Sequence, residues 1–231
     1  MSLPNDIARI QACIENRLDR NAIGKKRIAG IAGIIGDAPS HYTKSPLLWN
    51  AAFRALDMKA IYLPFDVNHS RLPELGHALK KSDRIMGVNV TVPYKVKIIE
   101  YLDQLDEKAG QIQAVNTIVR TKDGQLIGYN TDGMGFLESV LAPQLGQKAP
   151  FVQSLKDVDV LIIGAGGSAR AVAFHLAEVV GSGQLWISNR TTESARSLAE
   201  DIKKISGNAK AIDEEEVLEQ APKAGLIINC S

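Results

Sequence analysis

Apolar residues recur along this chain at two spacings, and the alternation between them predicts most of its elements. Ile7, Ile10, Ile14 and Leu18 fall at helical spacing, so residues 7–18 are expected to form a helix with one apolar stripe. Short β-like runs then alternate with helical patterns. Residues 28–35, 60–67, 87–92, 115–119 and 126–129 read as strands. Ser45-Pro46 opens a helix toward Leu56, because Ser is a favoured N-cap and Pro a favoured first helical residue. Further helices are expected at 71–80, from Pro93 toward Leu102, and at 107–112. Asp123-Gly124 signals a tight turn between the last two strands.

A helix follows from Gly133 to about Leu145. Residues 142–154 hold Pro143 and Pro150 without clear periodicity and make the best linker candidate. Strands at 159–163, 185–188, 209–212 and 226–229 then alternate with helices at 168–180, 192–205 and 214–221. Such alternation implies an α/β fold, with parallel sheet covered on both faces. Two units are expected, residues 1–132 and 133–231.

Composition narrows the class. The 231 residues carry 27 Lys+Arg against 26 Asp+Glu, a formal net charge of +1, with 45% hydrophobic and 23% charged residues. Neither the balance nor any dense basic run favours nucleic acid as a partner. The longest apolar-plus-glycine stretch, residues 28–36, is far shorter than a membrane helix, so no membrane partner is expected. Asp6, Arg9, Glu15, Arg17 and Asp19 leave no uncharged core for a signal peptide, which points to the cytoplasm. Cys13 and Cys230 lie near opposite ends and form no metal or redox motif, so no metal is expected.

The most specific local signal is Gly164-Ala165-Gly166-Gly167-Ser168-Ala169, which follows an apolar strand and opens a helix. It matches the G-x-G-x-x-G/A dinucleotide fingerprint in its proper context. Gly164 permits the tight turn, Gly166 the backbone's approach to a pyrophosphate, and Ala169 close helix–strand packing. At the end of the next strand, where NAD-binding folds place an acid on the ribose, the chain reads Asn189-Arg190-Thr191. Arg190 suits a 2′-phosphate through its fork of donors, which favours NADP, with NAD as the alternative.

Polar clusters mark the first unit. Asn89 and Thr91 alternate with valines and share one strand face. Asn is disfavoured in strands, so that face wants a reason beyond solvation. Lys95 follows Pro93-Tyr94 and is expected in a helix's first turn, where a cation opposes the macrodipole and is biased toward losing its proton. Asn130-Thr131-Asp132-Gly133 ends a strand and precedes a helix. Thr131 or Asp132 is either a helix cap or a carboxylate at a ligand crevice. Asn116-Thr117 interrupts an apolar strand. Tyr42-Thr43-Lys44-Ser45 places hydroxyls at a helix start, where a carboxylate would sit well.

In this order, residues 87–95 (Gly-Val-Asn-Val-Thr-Val-Pro-Tyr-Lys), Ala114-Val-Asn-Thr117, Asn130-Thr-Asp-Gly133, the 164–169 turn, Asn189-Arg-Thr191 and Ile227-Ile-Asn229 resemble the shikimate dehydrogenase family, quinate/shikimate relatives included. The resemblance runs from about Ile31 to the last residue. It implies an N-terminal α/β substrate domain followed by a Rossmann-type NADP-binding domain. It also implies hydride transfer between NADP and a cyclohexene or cyclohexane carboxylate, interconverting shikimate and 3-dehydroshikimate, by a monomer or homodimer. Lys95 and Asp132 would be the catalytic pair. Asn89, Thr91 and Asn116 would bind ring hydroxyls, and Thr43 and Ser45 the carboxylate. Gly164, Ala165, Gly166, Gly167, Ser168, Ala169, Asn189, Arg190 and Thr191 would hold the dinucleotide.

The chain departs from the family's pattern at Tyr42-Thr43, where a His and a Ser are usual, and at Ser194, where a second Arg is common. It also stops before the family's last elements, so the dinucleotide domain is expected to be incomplete. Two alternatives follow from these departures. One is a quinate-preferring dehydrogenase of the same family; the other is a non-catalytic homologue that binds a dinucleotide or metabolite.

Overall fold

The run Gly-Ile-Ala-Gly-Ile-Ile-Gly becomes β1 (Gly30–Gly36), an interior strand of the first unit, residues 1–130. The computed structural model describes residues 3–19, 28–206 and 208–231. Helix α1 (Leu3–Gln11) precedes β1. After it come α2 (Pro39–Tyr42), α3 (Ser45–Ala55), β2 (Ala60–Asp66), α4 (Leu72–Lys80), β3 (Ile85–Val90), β4 (Gln104–Leu105), α5 (Glu107–Ile112), β5 (Thr117–Arg120) and β6 (Leu126–Tyr129). Two 3-10 turns, His69–Arg71 and Lys97–Tyr101, complete the unit.

The sheet order is β2-β1-β3-β5-β6-β4. β1 runs parallel to β2 and β3, whereas β5 is antiparallel to both β3 and β6. This sheet is therefore mixed rather than wholly parallel as the alternation implied. The reason is local: Gly124, at φ +90°, closes a turn in which its N–H donates to Thr121 O at 3.1 Å. A turn that short joins only antiparallel strands.

Alternation divides the core. Ile31 and Ile35 of β1, Leu63 and Phe65 of β2, and Val88 and Val90 of β3 pack with Ile10 of α1 and Leu75 and Leu79 of α4. Each such side chain taken fully out of water contributes about 1.5–3 kcal/mol. The opposite face offers Ala32, Ile34 and Tyr62, which α3 covers with Phe53.

The N-terminal helix ends at Gln11, not near residue 18. Glu15 N–H donates to Asp66 O at 2.8 Å, and Asn16 pairs with β2 through Pro64 O and Asp66 N–H. Those bonds draw the chain along the strand end instead of into another helical turn. Ile14 and Leu18 are still buried, so the stripe marks burial beyond the helix itself.

The second unit, residues 131–231, begins with α6 (Asp132–Leu141). No helix or strand forms between it and β7 (Val160–Ile163). Then follow α7 (Gly167–Val179), β8 (Leu185–Ser188), α8 (Thr192–Lys203), β9 (Ala209–Ala211), α9 (Glu214–Gln220) and β10 (Leu226–Asn229). The order β10-β7-β8-β9 is parallel throughout. Gly133 lets α6 approach α7 closely: a Cβ there would lie 2.2 Å from Ala171 O.

Candidate active site

Register places Tyr62, Ile34, Asn89 and Thr117 on one face of the first sheet, the face that α3 covers. β3 is an interior strand, so the polar face is not a solvated edge. The buried Tyr62 hydroxyl donates to Asn89 Oδ1 at 2.7 Å. Asn89 Nδ2 donates to Thr117 Oγ1 at 3.2 Å and lies 3.5 Å from Asn116 O. Burial pushes the Tyr62 phenol far above its usual range, while nearby Ser45 pulls the other way. Tyr62 therefore remains a neutral donor. One hydrogen-bonded group thus joins Tyr62, Asn89 and Thr117.

The hydroxyls at the start of α3 arrange themselves differently from expectation. Lys44 holds the N-cap position without a side-chain cap bond, and Ser45 is the first helical residue. Thr43 Oγ1 accepts Ser45 N–H at 3.2 Å and donates to Ser45 Oγ at 3.0 Å. Thr43 thereby takes over the satisfying role assigned to Ser45, and the two hydroxyls are held together. Asn50 fixes this helix start to the sheet, accepting Tyr62 N–H at 3.0 Å and donating to Tyr62 O at 2.8 Å and Pro46 O at 2.7 Å.

Thr91 follows the last residue of β3, with its N–H on Ile35 O at 2.8 Å. Gly36 makes room for it, since a Cβ there would lie 2.6 Å from Thr91 Cγ2 and 2.8 Å from the Tyr42 hydroxyl. Burial and the neighbouring Asp37, which accepts the Tyr42 O–H at 2.9 Å, push that phenol up to about 12.

Lys95 does not lie in a helix. The Val92–Pro93 peptide is cis, Lys95 sits in a turn, and the next helical residues are the 3-10 turn at Lys97–Tyr101. Tyr94, buried with its hydroxyl on Val67 O, anchors the loop and replaces the expected first turn. The macrodipole argument for Lys95 therefore falls away. What remains is placement: Lys95 O accepts Val115 N–H at 2.7 Å, and Val90 N–H donates to Asn116 O at 2.8 Å. The loop of Lys95 and the strand of Asn89 are thus both tied to the Val115-Asn116 segment. Buried Asn130 donates to Ala114 O at 2.9 Å and supports the same segment.

In the second unit, Asp132 is the first residue of α6. Thr131 occupies its N-cap position but makes no side-chain cap bond. The carboxylate of a first-turn Asp suits the positive end of a helix dipole.

The glycine turn follows β7 directly. Gly164 takes φ +117°, and a Cβ there would stand 2.7 Å from Cys230 O, so only glycine fits. Its N–H donates to Ser188 O at 2.7 Å, and Cys230 N–H donates to Ile163 O at 2.7 Å. The turn therefore sits where β10 and β8 flank β7 on opposite sides, the switch point at which open parallel sheets place ligands. A Cβ on Gly166 would meet nothing within 4 Å. Gly166 is also the N-cap of the thirteen-residue α7 and brings no capping side chain to it. Open space against a glycine backbone at a long helix's N-terminus fits a pyrophosphate. Ala165, Gly167 and Ser168 belong to the same turn, and Ala169 is fully buried under it. At the end of β8, Asn189 Nδ2 donates to Thr191 O at 3.0 Å and shapes a loop from which Arg190 is exposed. Exposed guanidinium and absent carboxylate fit a 2′-phosphate.

Among the described residues no group of three or more His, Cys, Asp or Glu is placed to hold a metal. Among the same residues no helix is long and apolar enough to cross a membrane. Sequence reasoning missed Tyr62, Asn50 and the role of Thr117. A buried tyrosine in an apolar strand was the available signal, because such a hydroxyl finds a partner.

A family model described as shikimate dehydrogenase substrate binding domain matches residues 34–118, and one described as shikimate / quinate 5-dehydrogenase matches residues 146–231. The shikimate dehydrogenase (NADP(+)) of Lysinibacillus sphaericus is 40% identical over 195 residues, 84% of this chain and 66% of that protein. That of Nitrosopumilus maritimus is 39% identical over 198 residues, 86% of this chain and 68% of that protein. The crystal structure of the Thermus thermophilus shikimate 5-dehydrogenase in complex with NADP(H) and shikimate superposes with a TM-score of 0.69 at 31% identity. The match covers 87% of this chain and 68% of that one. The chain thus spans about two thirds of the length of these relatives, and 56–58% of several others.

Proposed function

The chain belongs to the shikimate dehydrogenase family, and from that premise we propose that it is an NADP-dependent oxidoreductase interconverting shikimate and 3-dehydroshikimate. The observation that carries this reading is a pair of hydrogen-bonded sets, Thr43 with Ser45 at the start of α3, and Tyr62, Asn89 and Thr117 on the sheet face that α3 covers. It combines paired hydroxyls, suited to a carboxylate, with an amide suited to ring hydroxyls. That is the donor and acceptor set a hydroxylated cyclohexene carboxylate needs.

In this reading residues 1–132 form the substrate domain and residues 133–231 the dinucleotide domain. The dinucleotide, when bound, supplies the hydride acceptor in one direction and the donor in the other. The 164–169 turn receives the pyrophosphate, and Asn189, Arg190 and Thr191 receive the adenosine ribose with its 2′-phosphate. Thr43 and Ser45 bind the carboxylate, while Asn89, Thr91 and Asn116 bind ring hydroxyls. Lys95 takes the proton of the reacting hydroxyl during oxidation and returns it during reduction. Asp132 is the second member of the catalytic pair that the family resemblance implies. General acid–base help of this kind contributes typically 10²–10⁴-fold. Such a protein works in the cytoplasm, as a monomer or homodimer.

The test follows the absorbance of reduced nicotinamide with NADP or NAD against shikimate and quinate. Turnover of shikimate with NADP is expected to be fastest. Faster turnover of quinate would favour the quinate-type enzyme, which the Thr43 methyl near the carboxylate site motivates. Dinucleotide binding without turnover of either acid would overturn catalysis.

A further inference from the structure

We propose that Tyr62 is a positioning residue that sets substrate specificity, by fixing the orientation of the Asn89 amide. The inference rests on the substrate reading above and adds a residue to it. The Tyr62 side chain is 3% exposed and stacks on Trp49 with ring centroids 6.0 Å apart and planes 11° apart. Asn50 holds its backbone on both sides, so the ring can scarcely move. From that fixed ring the hydroxyl meets a candidate substrate-binding group: it donates to Asn89 Oδ1 at 2.7 Å.

The consequence lies in how an amide is used. Asn89 has a carbonyl oxygen and an NH₂, and the two ends make opposite demands on a ligand. Tyr62 is a donor to the oxygen, and Thr117 Oγ1 accepts from the nitrogen at 3.2 Å. Together they define which end points where. Asn89 Nδ2 also donates to Asn116 O at 3.5 Å, so what the amide offers a ligand is the second lone pair of its oxygen, in the direction that Tyr62 leaves open. Without the phenol that oxygen loses its donor, and the acceptor direction offered to a ring hydroxyl is no longer set. A buried polar site rejects a mismatched ligand strongly only when its groups are held in place.

Tyr62→Phe is the direct test, since it keeps the ring, the stacking and the burial and removes only the hydroxyl. Shikimate binding is measured calorimetrically for the native chain, Tyr62→Phe, Asn89→Ala and the double variant, alongside a shikimate analogue lacking one ring hydroxyl. Tyr62→Phe is expected to weaken shikimate about tenfold and the deoxy analogue less than threefold, with the melting temperature little changed. In turnover the loss should fall on KM, with kcat within about threefold. In the double variant the Tyr62 effect should largely vanish, because its partner is gone. Equal weakening of both ligands, or full additivity in the double variant, would overturn the positioning role. Native protein that binds no shikimate at all would instead sink the substrate reading, and this inference with it.

Discussion

In the second unit the candidate ligand chemistry is carried largely by the backbone, whereas in the first it is carried by side chains holding one another. Gly164, Gly166 and the start of α7 form a surface of peptide groups at the switch point of a parallel sheet. Tyr62, Asn89 and Thr117 instead converge from three strands and depend on hydrogen bonds across long sequence separations. Backbone surfaces recognise what all dinucleotides share, a pyrophosphate. A side-chain network recognises what distinguishes one ring from another. The division predicts that lesions in the first unit change rate and selectivity, while lesions in the second change cofactor affinity and local stability.

The largest expected effect tests the first half of that statement. Lys95→Ala should lower kcat at least about 10³-fold, near the upper range for losing an acid–base group. Affinity for NADP, measured by fluorescence titration of the reduced form, should stay within twofold. Retained turnover would remove Lys95 from the chemistry, and a parallel loss of NADP affinity would break the division between the units.

Gly164→Val makes the complementary test. The φ of +117° and the approach of Cys230 O to 2.7 Å leave no room for a side chain. A non-glycine residue in such a region costs of order 1–3 kcal/mol before any clash is counted. NADP binding should fall by about two orders of magnitude and the melting temperature by several degrees. A variant that binds NADP normally would show that the turn does not approach the ligand.

Arg190→Ala is expected to act more gently. One charge-assisted hydrogen bond is worth about 1.5–3 kcal/mol, so NADP affinity should fall roughly ten- to a hundredfold. NAD affinity should hardly move. Equal loss for both dinucleotides would place Arg190 on a group they share, contrary to the 2′-phosphate assignment.

The same contrast explains what the sequence disclosed. Residues 164–169 are contiguous, and glycine spacing between a strand and a helix carries its own geometry, so that site could be read directly. Strands 126–129, 185–188 and 226–229 were also legible, being short apolar runs bounded by turn residues. Tyr62 was not, because its meaning depends on Asn89, 27 positions later, and on Asn50, 12 positions earlier. Lys95 and residues 12–18 failed for another reason. Local periodicity and a proline suggested helices, but tertiary bonds from Tyr94 to Val67 O and from Asn16 to β2 decided the backbone. The mixed sheet was half visible: Asp123-Gly124 announced a hairpin that the general alternation then overrode.

The smallest expected effect probes a side chain of the first unit that has no place in the site. Asp103 accepts Leu126 N–H at 2.8 Å and Lys80 Nζ at 2.7 Å. Those bonds, the backbone one first, hold its carboxyl below the usual carboxylate range. A depressed native pKa means the folded state binds the proton less readily than the unfolded chain does. The resulting stability is present above about pH 4 and is lost as pH falls through the lower native value. The Asp103 side chain is 33% exposed, so solvent screens the pair and its contribution is about 0.2–1 kcal/mol. Asp103→Asn should therefore lower the melting temperature slightly at neutral pH, and the difference from native should close as the pH falls below the usual carboxylate range. Turnover and ring selectivity should not change. A shift in either would mean that the β4–β6 end of the sheet communicates with Asn89, and that the first unit's network is wider than Tyr62, Asn89 and Thr117.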